Sequence, residues 1–174
     1  MISLFRSASE LMVQYAHYHR DRRNIVTHLV GIPLIVLSIG MLLSLVSLDI
    51  GGTSVTLAGL LWALSAAWYL TRGNLLLGVA TSLVNGALIA LAHQVPDLSA
   101  ALGLPVWQTG VALFVIGWLF QFVGHYLEGR KPAFVDDVVG LLVGPMFVVG
   151  EVLMAIGLLA SMRMDIERQA GPAH

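Results

Sequence analysis

The chain has no cysteine in its 174 residues. That one absence removes disulfides, Cys-ligated zinc, iron–sulfur clusters and a thiol nucleophile, and leaves the redox compartment unreadable. Charge is also scarce: charged residues are 11% of the chain, where a soluble domain averages about 25%. So few acidic and basic groups cannot cover a water-soluble fold of this length, which argues against a soluble enzyme. Nine Lys and Arg stand against ten Asp and Glu. With no basic excess, the chain lacks the electrostatic footprint of a nucleic-acid partner.

What is abundant is apolar side chain. The AVILMFWYC set is 57% of the sequence and the mean hydropathy is +0.85. This excludes a disordered chain and points to one domain, residues 1–174, buried in lipid. The expected fold is all-α, an integral membrane bundle of about five transmembrane helices with an N-terminal amphipathic interfacial helix. Residues 1–24 are read as the interfacial segment, 25–161 as the bundle and 162–174 as a polar tail.

Five segments are long and apolar enough to expect crossings: Ile25–Leu48, Thr53–Thr71, Leu75–Ala92, Val106–Gly124 and Val138–Ser161. A crossing takes about 20 such residues. Turn chemistry separates them at Asp49-Ile50-Gly51-Gly52, at Arg72-Gly73-Asn74, and from Pro96 to Pro105. The first 24 residues lack the apolar run and cleavage site of a signal peptide. Leu4, Phe5, Ala8, Leu11, Met12 and Tyr15 recur there at helical spacing, and Ser7 with Glu10 makes a capping box. That pattern predicts a short helix over residues 7–18 lying on the membrane surface. With five crossings, an inside N-terminus places seven of the nine Lys and Arg in the cytoplasm and leaves Arg163 and Arg168 outside. A kink at Pro145 in the last crossing would instead return the C-terminus to the inside.

Polar side chains then gather at one membrane face. His17, His19 and His28 flank the start of the first crossing, His125 and Glu128 end the fourth, and Asp136 and Asp137 open the fifth. His93 falls on the opposite face. In one unbroken helix His19 and His28 would point in opposite directions, so a shared ion requires a bend. Asp21-Arg22-Arg23-Asn24 is its expected place, with Asn24 capping a helix from Ile25. Gln121, His125 and Glu128 share one helical face. Asp137, Gly140, Gly144 and Glu151 share another.

Ionisable groups at membrane depth are costly, so several converging from separate helices point to function. Imidazole and carboxylate without thiolate suit non-haem iron, zinc or manganese. His19, His28 and His125 are the expected metal ligands. Glu128, Asp137 and Gln121 are the expected catalytic residues around them, Glu128 and Asp137 as further ligand or outer-shell groups. Competing structural readings exist. His17, His93 and His174 fit interfacial roles, Glu128 could pair with Arg130 or Lys131, Asp136 and Asp137 could cap a helix, and Glu151 could be a packing residue.

Two segments carry a resemblance. YHRDRRNIVTHLVGIP, residues 18–33, and WLFQFVGHYLEGRKPAFVDD, residues 118–137, resemble a family of small polytopic membrane proteins. Its yeast member is an endoplasmic-reticulum iron(II)-dependent dioxygenase of 2-hydroxy fatty acids. The Asp136-Asp137 pair stands where eukaryotic members carry Asp-Asn, so the chain looks like a bacterial-type branch. The resemblance implies α-oxidation of a 2-hydroxy fatty acid by dioxygen to an acid one carbon shorter. It makes His19, His28 and His125 the Fe(II) ligands. A substrate dissolved in membrane lipid would carry its carboxylate at headgroup level, where Arg20, Arg23, Arg130 or Lys131 could hold it. The expected location is the inner membrane if bacterial, or the endoplasmic reticulum if eukaryotic, and a homo-oligomer is left open. Three rivals stay in view: a bis-histidine haem protein with Gly31 and Gly124 making room, a membrane adaptor or transporter in which Glu151 matters, and a zinc hydrolase with the same ligands.

Overall fold

The computed structural model describes residues 5–101, 103–132 and 139–174. Helix α1 (Ala8–Ala16) starts at a complete capping box, in which the Ser7 side chain accepts from the Glu10 N–H and the Glu10 carboxylate accepts from the Ser7 N–H at 2.9 Å. Helix α2 (Arg22–Ser44) is capped by Asp21, whose carboxylate accepts from the Arg23 N–H at 2.8 Å. The helix therefore starts before the expected Asn24 cap, and the bend lies just upstream of Asp21. A hairpin follows, β1 (Ser47–Ile50) and β2 (Thr53–Thr56), paired antiparallel with Ser47 opposite Thr56. Its turn is Gly51-Gly52, with φ of +62° and +83°, the left-handed pair that a two-residue hairpin turn requires.

Helices α3 (Leu57–Leu70), α4 (Leu75–Ala92), α5 (Val95–Ala101) and α6 (Val106–Glu128) complete the bundle. The chain ends with α7 (Gly140–Ala155) and α8 (Ala160–Ala170), bent by 112° to one another. Among the described residues three helices, α2, α4 and α6, are long and apolar enough to span a membrane. Helix α3 has 14 residues, about 21 Å against a ~30 Å hydrocarbon core. The fifth expected crossing is not one straight span. Its polypeptide breaks after Ala155, where Gly157 adopts φ +85°.

The closest packing is between α2 and α6, and glycine makes it. A Cβ on Gly31 would lie 2.2 Å from Gln121 Nε2 and 2.8 Å from the Gly117 carbonyl. One on Gly117 would lie 2.7 Å from Ile35 Cγ1, and one on Gly124 2.3 Å from Asn24 Oδ1. Backbones that close need small residues at the crossing. His28 and His125 flank these glycines and are brought together by them, edge to face with ring centroids 5.0 Å apart.

One end of the bundle gathers the chain's loose segments. Arg130, just past α6, donates through Nη1 to the His17 carbonyl at 2.7 Å. The other side of that segment is held by His174, whose N–H donates to the Arg20 carbonyl at 3.0 Å and whose carbonyl accepts from the Arg22 N–H at 2.9 Å. The polypeptide leaving α6 thus returns to the end it left. The Ala8 N–H donates to the Arg72 carbonyl at 2.7 Å, tying α1 to the α3–α4 turn at this same end. Helix α1 differs from the expected surface helix: Leu11, Met12 and Ala16 are fully buried, because α7 and α8 cover it. Arg163 and Arg168 ride on α8, so all nine Lys and Arg cluster at this end. His93 is at the far end, where its Nε2 lies 3.3 Å from Ser44 Oγ.

Candidate metal centre

Three histidines from three parts of the sequence meet beneath this end of the bundle. His19 comes from the turn between α1 and α2, His28 from the second turn of α2, and His125 from the last turn of α6. Their ring centroids form a near-equilateral triangle, 4.4 Å (His19–His28), 4.8 Å (His19–His125) and 5.0 Å (His28–His125). Relative exposures are 0%, 1% and 6%. The break between α1 and α2 is what allows His19 to fold back over His28, since the two would diverge on an unbroken helix.

Backbone carbonyls decide which nitrogens point inward. His19 Nδ1 is 2.8 Å from the Tyr15 carbonyl, and His28 Nδ1 is 2.9 Å from the Asn24 carbonyl. A carbonyl only accepts, so each Nδ1 carries the proton and each neutral ring presents a bare Nε2. Those two Nε2 atoms face each other at 3.0 Å. Lone pair against lone pair is repulsive unless a proton or a cation lies between. Burial, reinforced by His28, holds the His19 imidazole well below the usual histidine range, which disfavours the proton. His19 is further held by Tyr15, stacked on it at 4.2 Å, and by Phe147 at 5.1 Å.

The donor set fits a metal ion. One nitrogen from each ring lies within 4.8 Å of the other two, and the His19 and His28 pair, at 3.0 Å, is near the ~3.4 Å between tetrahedral donors on bonds of about 2.1 Å. His125 Nδ1 is buried with no hydrogen-bond partner among the described residues, an orphan that a ligand would satisfy. The carbonyl-to-imidazole bonds are the outer-shell contacts that orient metal-binding histidines.

Glu128 does something else. Its Oε1 accepts from the Arg20 N–H at 2.8 Å, and its Oε2 accepts from the Asp21 N–H at 2.8 Å and from Asn24 Nδ2 at 2.9 Å. The carboxylate thus fastens the His19 turn to the end of α6. Asp136 and Asp137 lie outside the described residues. Glu151 sits 3.7 Å from Arg20 Nη2.

A cavity of about 240 Å³ opens from His28 and His125, with Ile32, Ile35, Phe114 and Trp118 on its walls. It is far larger than the ~30 Å³ share of one water, which leaves room for a group of organic size. Of the described residues, Arg20, Arg23, Arg130 and Lys131 do not line it. Arg20 donates to the Ala16, His19 and Gly171 carbonyls, and Arg23 pairs with Asp21. Gln121 puts a buried amide donor on the cavity, and its Nε2 has no hydrogen-bond partner among the described residues. Its helical face with His125 was readable in the sequence; that its amide would lack a partner was not.

Among the described residues, the space a haem would need beside Gly31 and Gly124 is filled. Gln121 occupies the space at Gly31, and Thr27 and Asn24 occupy that at Gly124. His19 completes the triangle where a macrocycle would have to lie.

The geometry defines a helical protein with membrane-length helices and a buried three-histidine centre at one end. The family described as "2-hydroxy-palmitic acid dioxygenase Mpo1-like" matches residues 5–156, and the chain belongs to this Mpo1-like family. It is 34% identical over 159 residues to the 2-hydroxy-palmitic acid dioxygenase MPO1 of Saccharomyces cerevisiae, covering 88% of this chain and 83% of the yeast protein. No solved structure matches it.

Proposed function

We propose that the protein is an integral membrane, iron(II)-dependent dioxygenase that shortens 2-hydroxy fatty acids by one carbon. The observation that carries this reading is the pair of inward Nε2 atoms of His19 and His28 at 3.0 Å, each ring locked by a backbone carbonyl. With His125 they would hold the ion. Iron bound to three neutral imidazoles would supply free cis positions for dioxygen and for a substrate chelating through its hydroxyl and carboxylate. The reaction balances with one dioxygen per acid, the carboxyl carbon leaving as carbon dioxide with one water.

The chain's own residues do the rest. Tyr15 and Phe147 pack around His19 and exclude water from it. Gln121 Nε2, buried and unpartnered on the cavity, donates to a substrate oxygen. The apolar walls receive the acyl chain. The clustering of all nine cations at this end supports a cytoplasmic orientation of the centre.

The test is elemental analysis of purified protein together with oxygen uptake on 2-hydroxypalmitate. Stoichiometric iron and aerobic loss of one carbon are expected, and both should vanish in His28→Ala and His125→Ala while the helices still insert. Retained turnover in either variant refutes the ligand assignment. Bound zinc without oxygen uptake refutes the oxygenase reading.

A further inference from the structure

The cavity below the histidines is not the whole apolar space. A second cavity of about 130 Å³ lies between α2, α3, α4 and α7, with Trp62 and Ile89 on its walls. Four side chains, Val36, Ile39, Leu141 and Pro145, line both cavities. Two come from the middle of α2 and two from the start of α7, so the shared wall stands where α7 is laid against the bundle. None of the four carries a polar side chain, and Ile39 is only half buried.

The first cavity has a measurable depth. Eleven residues separate His28 from Ile39 on α2, and eleven separate Phe114 from His125 on the antiparallel α6. At the helical rise both walls run ~16 Å, enough for roughly a dozen carbons of extended chain. The polar end holds the three imidazole donors' meeting point and the unpartnered Gln121 amide, and the far end is hydrocarbon only. An amphiphile with one chelating head and one alkyl tail is the occupant this polarity selects. A longer tail must pass the shared wall.

We propose that Val36, Ile39, Leu141 and Pro145 form a neck that sets acyl-chain length, with the second cavity taking the end of chains too long for the first. This rests on the 2-hydroxy acid reading above. Side-chain volume at Ile39 then controls which acids fit, because a pocket discriminates chain length by the methylenes it admits.

The experiment measures kcat/KM of the iron-loaded protein for 2-hydroxydecanoate, 2-hydroxypalmitate and 2-hydroxylignocerate, and equilibrium binding of the same acids to metal-free protein in detergent. Ile39→Phe should leave 2-hydroxydecanoate within about twofold and weaken 2-hydroxypalmitate about tenfold, in both turnover and binding. Ile39→Ala should shift preference toward 2-hydroxylignocerate. A length profile that does not move, or one that falls in parallel for all three acids in both variants, overturns the neck. Length-dependent binding without turnover of any acid by the wild type overturns the catalytic reading and leaves the neck standing.

Discussion

Replacing Glu128 with alanine separates fastening from ligation. The carboxylate accepts three hydrogen bonds, two from the backbone of residues 20 and 21 and one from Asn24. Bonds to a charged acceptor contribute about 1.5–3 kcal/mol each. Glu128 is half buried, so water replaces part of the loss, and the expected destabilisation is about 2–4 kcal/mol. Glu128→Gln keeps one acceptor oxygen but turns an amide donor toward a backbone donor, so it should recover about half of that. His19 is the residue before Arg20, and loosening its turn should weaken metal affinity about tenfold, as loss of outer-shell support does. The assays are thermal unfolding in detergent micelles and metal titration with zinc as a redox-silent probe. A Glu128→Ala protein with unchanged stability and no metal binding would make Glu128 a ligand and refute this reasoning.

Other outcomes follow from the same geometry. Gly124→Ala places a methyl 2.2 Å from Thr27 Oγ1 and 2.3 Å from Asn24 Oδ1. It should cost about 1–3 kcal/mol by overpacking and part His28 from His125; normal unfolding temperature and metal content would contradict the packing argument. His19 is held neutral in the folded protein and titrates at its ordinary value when unfolded, so its contribution is full above pH ~6.5 and is lost as pH falls below it. The metal-free protein should therefore unfold more readily at about pH 5 than at about pH 7, and His19→Ala should lessen that dependence. Because the chain lacks cysteine, single-cysteine variants report topology directly. Arg22→Cys and Arg168→Cys should react with an impermeant maleimide from one side and Asp49→Cys from the other; opposite sidedness for Arg22 and Arg168 would overturn the returning C-terminal segment.

Much of this was legible along the chain. The apolar runs and their turns mark α2, α4 and α6, the capping box marks α1, and the shared depth of His19, His28 and His125 points to one site. Those signals are local, arising from hydropathy, cap chemistry and distance along a helix. The expected Asn24 cap moved to Asp21, whose carboxylate accepts from the Arg23 N–H, while Asn24 lies inside the helix and donates through Nδ2 to Glu128 and the Tyr18 carbonyl.

Sequence alone determined that the chain is helical and apolar, that imidazole is its available metal donor beside carboxylate, and that glycines mark where helices could touch. Tertiary structure decided the break after Ala155, the return of α8 to the histidine end, the use of Glu128 as a clasp and the unpartnered Gln121 amide over the cavity. Hydropathy and periodicity report how one segment meets its surroundings. Which carbonyl orients an imidazole, or which amide a carboxylate accepts, depends on partners as far away as the 108 residues between Arg20 and Glu128. Only packing brings those partners together.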